Sequence, residues 1–253
     1  MPDEEGCYIY GIIEACHRQE FGPIGIGGRG DTIYALPYQN VAAVISRAPI
    51  AKYPVTRENM LAHSRVLEKA AEKTTVLPVR YSTLAANEEM IIEKLLKTRY
   101  QEFIDLLKAM TGKIELGVRA RWKDLNATFA ELVEENKTIK ALKEASLAEK
   151  SEQRQYASRI KIGELVQQAL AEKKKREAKE LIHALSPLSF DYREKEIYGD
   201  MNIVNAAFLV AKERERDFDQ KISELEKFHQ ERKQLKYTAT AVPYSFVELV
   251  VHW

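Results

Sequence analysis

The chain has 253 residues, of which 45% are hydrophobic and 30% are charged, a composition typical of a globular protein with solvated helices. Its 39 basic and 38 acidic residues nearly cancel, so the overall charge gives no support for a nucleic-acid or anionic-membrane partner. The acidic start and the lack of an apolar run of ~20 residues predict a cytoplasmic protein without a signal peptide or membrane span.

The first 112 residues are predicted to form an α+β domain. Thr56 is a suitable N-cap for a helix running to about Lys73, and Asn87 is one for a second helix that ends at Gly112. The first strand is apolar on both faces, which favours an interior position in a sheet. The predicted strands of this domain are residues 8–15, 31–38, 40–47 and 75–83.

Residues 113–253 are predicted to form a second domain. Residues 114–122 alternate between an apolar face and a face with Glu115, Arg119 and Arg121, which indicates a strand with one wet side. Residues 124–185 read as an almost continuous helical insert with a break near 143–151. The later elements are strands 190–198 and 201–211, a helix over 213–235 and a strand in the tail. This order predicts a modified ferredoxin-like βαββαβ sheet with a long helical insertion in its first crossover.

The C-terminal tail, residues 236–253, is unusually apolar for a chain end. Val247, Leu249, Val251 and Trp253 fall on one face of an extended segment, so the tail is predicted to be the closing strand of the second sheet. On this interpretation, deletion of residues 244–253 unfolds the second domain.

Motif searches predict no catalytic, cofactor-binding or metal site. Residues 25–30 (GIGGRG) match a dinucleotide-binding pattern, but the strand-like segment after them favours a flexible loop over a helix-opening phosphate site. Cys7 and Cys16 match no zinc or redox spacing, and the five histidines form no ligand cluster. The basic run 173–176 (KKKR) lies among glutamates, so we interpret it as a solvated helix face.

Three segments together resemble the GvpF/GvpL family of gas vesicle accessory proteins. The first is the pair YIYGIIEA (8–15) and DTIYALPYQNVAAVIS (31–46), and the second is segment 61–83 with His63 and the LPVRYST pattern. The third lies in the C-terminal half and includes residues 115–122 and PYSFV (243–247). Tyr81 and Ser82 stand where the family usually has Phe-Gly, and Thr240–Val242 replace the usual residues before the final motif.

The resemblance implies a non-enzymatic accessory or minor structural protein of gas vesicle formation, without cofactors. It implies two α+β domains, and its partners would be the small hydrophobic shell protein and other accessory proteins, with neither nucleic acid nor a lipid membrane. We expect contact regions in the helical insert and around the tail. The candidate partner-contact or family-motif residues are His63, Arg80, Tyr81, Arg119, Arg121, Tyr244 and Phe246.

Two alternatives stay open at this stage. A ferredoxin-like module that binds a ligand or RNA would use Arg80, Arg119 and Arg121, although the wet face of strand 114–122 offers no aromatic side chain for base stacking. An enzyme would use His63 and Arg80, and this hypothesis requires both residues to lie in one cleft.

Overall fold

The computed structural model describes residues 4–253, so the first three residues of the acidic start lie outside the described part. The chain forms two compact units with mixed α+β structure. One comprises the described residues up to Leu116 together with Leu209–Glu213 and Ala239–Trp253, and the other comprises Gly117–Phe208 and Arg214–Thr238. The predicted boundary between independent domains at residues 112 and 113 stays a prediction.

The first sheet has five antiparallel strands in the order β2-β3-β4-β1-β5. β1 lies between β4 and β5, and its residues are buried on both faces, as its apolar sequence predicts. β3 and β4 form a hairpin in which Tyr38 pairs with Val41, and the glycine-rich loop lies between β2 and β3. The strands are β1 Glu5–Glu14, β2 Glu20–Gly22, β3 Ile33–Tyr38, β4 Val41–Pro49 and β5 Val76–Ala85.

Three helices accompany this sheet: α1 Arg57–Ala71, α2 Glu88–Ile91 and α3 Tyr100–Met110. The predicted N-caps are confirmed, since the Thr56 side chain accepts from the Asn59 N–H at 3.2 Å and Asn87 accepts from Met90 at 2.9 Å. The predicted single helix after Asn87 is interrupted by a wider π-type turn over Ile92–Leu96. One core cluster packs α2 and α3 against one face of the sheet, and a second packs α1 against the other face.

The second sheet has four strands in the order β7-β8-β6-β9, and a long helical crossover separates β6 from β7. The predicted break in that crossover is confirmed between Ala148 and Glu152, and a further break occurs at Asn136, whose side chain caps α5. Its strands are β6 Lys113–Trp122, β7 Asp191–Glu194, β8 Asn202–Ala211 and β9 Lys233–Thr240. The helices are α4 Leu125–Glu135, α5 Lys137–Ala148, α6 Glu152–Leu185 and α7 Glu215–His229.

The prediction for the C-terminal tail is correct for residues 236–240, which lie in the closing strand of the second sheet, and wrong for the residues after them. The last helix ends at His229, before the predicted 235, and β9 then supplies the fourth strand of the second sheet. Residues 241–253 belong instead to the first compact unit, where Leu249 forms an isolated parallel bridge with Val79 of β5. The apolar alternation is confirmed only in part, since Val247 and Leu249 are buried and Glu248 is exposed, whereas Val251 is half-buried and Trp253 is 44% exposed. Sequence alternation reports burial, but it does not identify the neighbouring strand.

Strand 190–198 was also predicted too long. Only Asp191–Glu194 forms β7, and all four of its residues are exposed. None of the helices within residues 4–253 combines the length and the apolar character that a bilayer span requires.

Candidate functional site

His63 lies on α1 and is only 5% exposed. Its Nδ1 lies 3.1 Å from the hydroxyl of Tyr8, and this hydroxyl also accepts the backbone N–H of Ser82 at 2.8 Å. Burial lowers the pKa of His63 to about 4, although a backbone hydrogen bond with Val79 opposes the shift. The imidazole is therefore neutral near pH 7 and is held by hydrogen bonds to Tyr8 and Val79.

Aromatic side chains surround this histidine. The rings of Tyr8, Tyr10 and Tyr81 have centroids 5.5–5.8 Å from that of His63. Burial raises the pKa of Tyr10 to about 12, with hydrogen bonds to Ser46 and the Ile26 N–H acting in the opposite direction. Tyr8 and Tyr10 are two residues apart on β1, so they project to the same face of the sheet. That spacing of two tyrosines on one strand is the sequence signal for this cluster.

Arg80 and Tyr81 lie where β5 departs from regular pairing. The register with β1 shifts here, since Ile9 pairs with Thr83 whereas Gly11 pairs with Pro78. Ser82 within this bulge has φ of 63°, in the left-handed region that favours glycine. The resemblance places a Gly at this position in the family, and the backbone conformation gives a physical reason for that preference.

The C-terminal tail closes this region on one side. The Arg80 N–H donates to the Leu249 carbonyl at 2.9 Å, and the Arg99 guanidinium donates to the Val250 carbonyl at 3.0 Å. Ser245 donates its N–H and its hydroxyl to the carboxylate of Glu115, at 2.7 and 2.5 Å. Glu115 is buried, so its predicted position on a wet strand face is wrong. Burial of this acidic residue is tolerated because its carboxylate accepts two hydrogen bonds from Ser245.

A cleft of about 440 Å³ lies between α1, β5 and the tail. It brings together four of the seven candidate residues: His63, Arg80, Tyr81 and Tyr244. Burial raises the pKa of the Tyr244 hydroxyl, and a hydrogen bond with Ser64 on α1 opposes this. Two of the segments that carry the family resemblance, residues 61–83 and 243–247, therefore meet around one cleft.

The condition for the enzyme hypothesis is met geometrically, since His63 and Arg80 line the same cleft. Its chemistry is less favourable, because a general acid or base works best when its pKa lies near the working pH. A buried histidine with a pKa of about 4 and a hydrogen-bonded Nδ1 suits a structural role, or a cleft that binds an apolar side chain of another molecule.

The other three candidate residues lie outside this cleft. Arg119 and Arg121 are exposed residues of β6 in the second compact unit, and Arg121 donates to the Gln234 side chain of β9 at 2.9 Å. Phe246 lies half-buried in the turn of the tail, where its N–H bonds the Pro243 carbonyl.

A larger concavity, here called the α6–β7 groove, lies within the second unit and has a volume of about 720 Å³. One wall is the face of α6 with Ala171, Ala178 and Ile182, and the other includes Tyr192 of β7 and Ile197. Sequence reasoning identified the helical insert as a contact region but did not locate this groove, since the approach of β7 to α6 is a long-range feature.

The KKKR run is divided between two environments. Lys173 is only 3% exposed and bonds Glu135 at 2.8 Å, so its predicted solvated position is wrong. It belongs to a buried network centred on Glu177, which accepts from the Trp122 indole at 2.9 Å and the Lys233 ammonium at 3.0 Å. Lys174, by contrast, lines the α6–β7 groove.

Comparisons with known proteins agree over nearly the full length of the chain. Residues 6–248 match the family described as gas vesicle synthesis protein GvpL/GvpF. Gas vesicle protein F of Nostoc sp. (strain PCC 7120 / SAG 25.82 / UTEX 2576) is 25% identical over 246 residues, covering 96% of this chain and 98% of that protein. Gas vesicle protein F of Streptomyces sp. (strain CB03234) is 28% identical over 244 residues, with coverages of 95% and 99%.

Two solved structures share the fold. The crystal structure of GvpF from Anabaena sp. PCC7120 has a TM-score of 0.84 at 24% identity and covers 98% of this chain and 100% of that one. GvpF from Microcystis aeruginosa has a TM-score of 0.78 at 23% identity, with coverages of 96% and 99%. The two antiparallel sheets and the long helix are thus the architecture of this family, and the chain belongs to the gas vesicle synthesis protein GvpL/GvpF family.

Proposed function

We propose that this chain is a non-enzymatic accessory or minor structural protein of gas vesicle formation that binds the small hydrophobic shell protein during nucleation or assembly. The observation that carries the proposal is the family match over residues 6–248. In this proposal the protein works in the cytoplasm at forming gas vesicles, together with other accessory proteins.

The surface of the second unit supports a protein-binding role. A subunit with a large apolar surface aggregates unless its exposed patches are covered. The second unit offers apolar surface for this purpose in the α6–β7 groove and in exposed side chains of its helices, including Leu147, Tyr156 and Ile160. Tyr156 and Ile160 lie one helical turn apart on α6 and are 68% and 49% exposed. An exposed stripe on a helix suits contact with another chain.

We also propose that the second sheet is a modified ferredoxin-like sheet. Across the second sheet the strands lie in the order β7, β8, β6, β9, so the first strand of the unit, β6, lies between the third and the fourth. Helices connect β6 to β7 and β8 to β9, whereas β7 and β8 are joined without a helix. This arrangement is the one expected of a βαββαβ unit. The helical insert then occupies the first crossover.

The alternative of an RNA-binding module gains no specific support. Arg119 and Arg121 are exposed on β6, but the polar positions of that strand offer no aromatic side chain for base stacking. Titration of the protein with mixed RNA at two salt concentrations tests it, and binding that weakens steeply with salt would favour this alternative.

Co-expression with the shell protein tests the leading proposal. We expect the tagged chain to capture the shell protein and to increase its soluble fraction relative to expression of the shell protein alone. Absence of both effects would contradict the proposal.

A further inference from the structure

The face of α6 that lines the α6–β7 groove is suited to close approach by another helix. Ala171 and Ala178 lie seven residues apart, about two helical turns, so both face the groove. Their small side chains leave a trough that is bounded by Leu170 and Ile182. Helices pack with their axes about 8–10 Å apart, and small residues at the contact favour the shorter distances. The trough therefore fits the apolar stripe of a second helix.

The charges along the groove are uneven. Lys174, Lys175 and Lys179 line it, and across the described residues none of them has a carboxylate within 4.0 Å. Lys174 donates instead to the backbone carbonyl of Gly199 at 3.0 Å. Lys173, on another face of the same helix, lies within 4.0 Å of three carboxylates. Among residues 4–253, the three lysines of the groove therefore lack the carboxylate partners that neutralise Lys173.

The opposite wall of the groove carries acidic groups, Glu194 at the end of β7 and Asp200 in the following loop. An occupant with acidic residues on one flank and basic residues on the other would be held in one orientation. Opposite orientation would place like charges together, which disfavours it.

The edge of β7 is a poor site for strand addition. β7 has four residues, and only alternate residues of an edge strand direct their backbone groups outward. An added strand would gain backbone hydrogen bonds at about two residues, whereas a helix would cover the apolar floor and reach the lysines.

We propose that the α6–β7 groove binds an amphipathic α-helix of the shell protein, with its apolar stripe on the alanine floor and acidic residues along the flank that faces Lys174, Lys175 and Lys179. This inference rests on the proposed function, since it names the surface and the form of the partner segment.

Substitution of Ala178 by Arg tests the site, because a long charged side chain fills the trough. Ala141→Arg is the matched control, since Ala141 is an exposed residue of the neighbouring helix α5 and does not line the groove. Both variants are checked for unchanged thermal unfolding, and Ala171→Arg replaces Ala178→Arg if the latter is unstable. We expect Ala178→Arg to weaken capture of the shell protein by about tenfold or more, whereas Ala141→Arg stays within about twofold.

The outcomes separate the two proposals. If the unmodified chain does not capture the shell protein, the proposed function fails. If it does and Ala178→Arg captures equally well, the groove is overturned and the proposed function stands.

A photo-cross-linking side chain at position 175 tests the form of the occupant. We expect cross-links to residues three or four apart in an acidic segment of the shell protein, as on one face of a helix. Cross-links to alternate residues would indicate an extended segment and would overturn the helical occupant, as would cross-links to a basic segment.

Discussion

The first sheet and the second sheet end differently at their outer strands. At β5, the tail joins the edge, and the N–H of Arg80 donates to the carbonyl of Leu249. At β7, all four residues are exposed, and the strand borders an open apolar groove. Unpaired strand edges and apolar patches are places where another chain can attach. The first unit is thus completed by its own C-terminus, whereas the second leaves an apolar groove beside an exposed outer strand.

Glu177→Gln is expected to have the largest effect, because Glu177 supports α6 from the side away from the groove. Removal of its charge leaves Lys233, which is 3% exposed, without its carboxylate partner. Breaking a buried ion pair in this way costs about 3–5 kcal/mol of unfolding free energy. Urea unfolding measures the loss, with Glu172→Gln on the exposed face of α6 as the control. A loss below about 1 kcal/mol would show that the network is not needed to hold the groove wall.

Leu249→Ala tests the closed edge. Leu249 is 2% exposed and packs in the core cluster of the first sheet with Val79. Truncation of a buried leucine costs about 2–5 kcal/mol, and we expect the loss to appear in the first unit. Hydrogen exchange locates it, with faster exchange in β5 and unchanged exchange in β9. Glu248→Ala is the exposed control, and destabilisation of β9 by Leu249→Ala would restore the original assignment of the tail to the second sheet.

The stability of the first unit should depend on pH through His63. The folded pKa is about 4, whereas the ordinary value is 6.5, so between these values the unfolded chain binds a proton that the folded chain excludes. The contribution is complete above pH 6.5 and is lost as the pH falls toward 4. Since one pKa unit corresponds to about 1.4 kcal/mol, the loss amounts to roughly 3 kcal/mol.

Unfolding curves between pH 7.5 and pH 4, roughly the range set by these two pKa values, measure this loss. His63→Gln should flatten the dependence, because it removes the group that takes up the proton on unfolding. The same slope in His63→Gln as in the unmodified chain would contradict the assignment of a neutral buried histidine.

Ser82→Gly should give the smallest change and an increase in stability. Ser82 has φ of 63°, and its N–H donates to the Tyr8 hydroxyl, a bond that glycine retains. Relief of the left-handed strain should stabilise the chain by about 0.5–1 kcal/mol, after the greater flexibility of unfolded glycine is included. Thermal unfolding measures it, with Thr83→Gly as the neighbouring control that should destabilise. A lower stability of Ser82→Gly would show that the bulge is held without strain.

Local patterns predicted most of the elements because their causes lie within a few residues. Thr56 and Asn87 cap helices through nearby N–H groups, and β1 is buried on both faces because both faces are apolar. The burial of Glu115 depends on Ser245, 130 positions along the chain, and such a pairing leaves no local pattern.

The same limit applies to the tail. Its alternation predicted the burial of Val247 and Leu249 but not the exposure of Trp253, and a strand edge in either sheet would satisfy that pattern. The α6–β7 groove likewise depends on how β7 packs beside α6, which precedes it in the chain, and no local pattern indicates that packing. Charge pattern alone could not distinguish Lys173 in its buried network from Lys174 in the groove, since the two are adjacent in one basic run.

Hydrogen exchange of the chain with and without co-purified shell protein tests the central claim most directly. We expect slower exchange in α6 around residues 170–182 and across residues 191–203, where the groove lies, with no change in β5 beside the tail. Protection confined to β5 and the tail, or no protection in the second unit, would contradict the account.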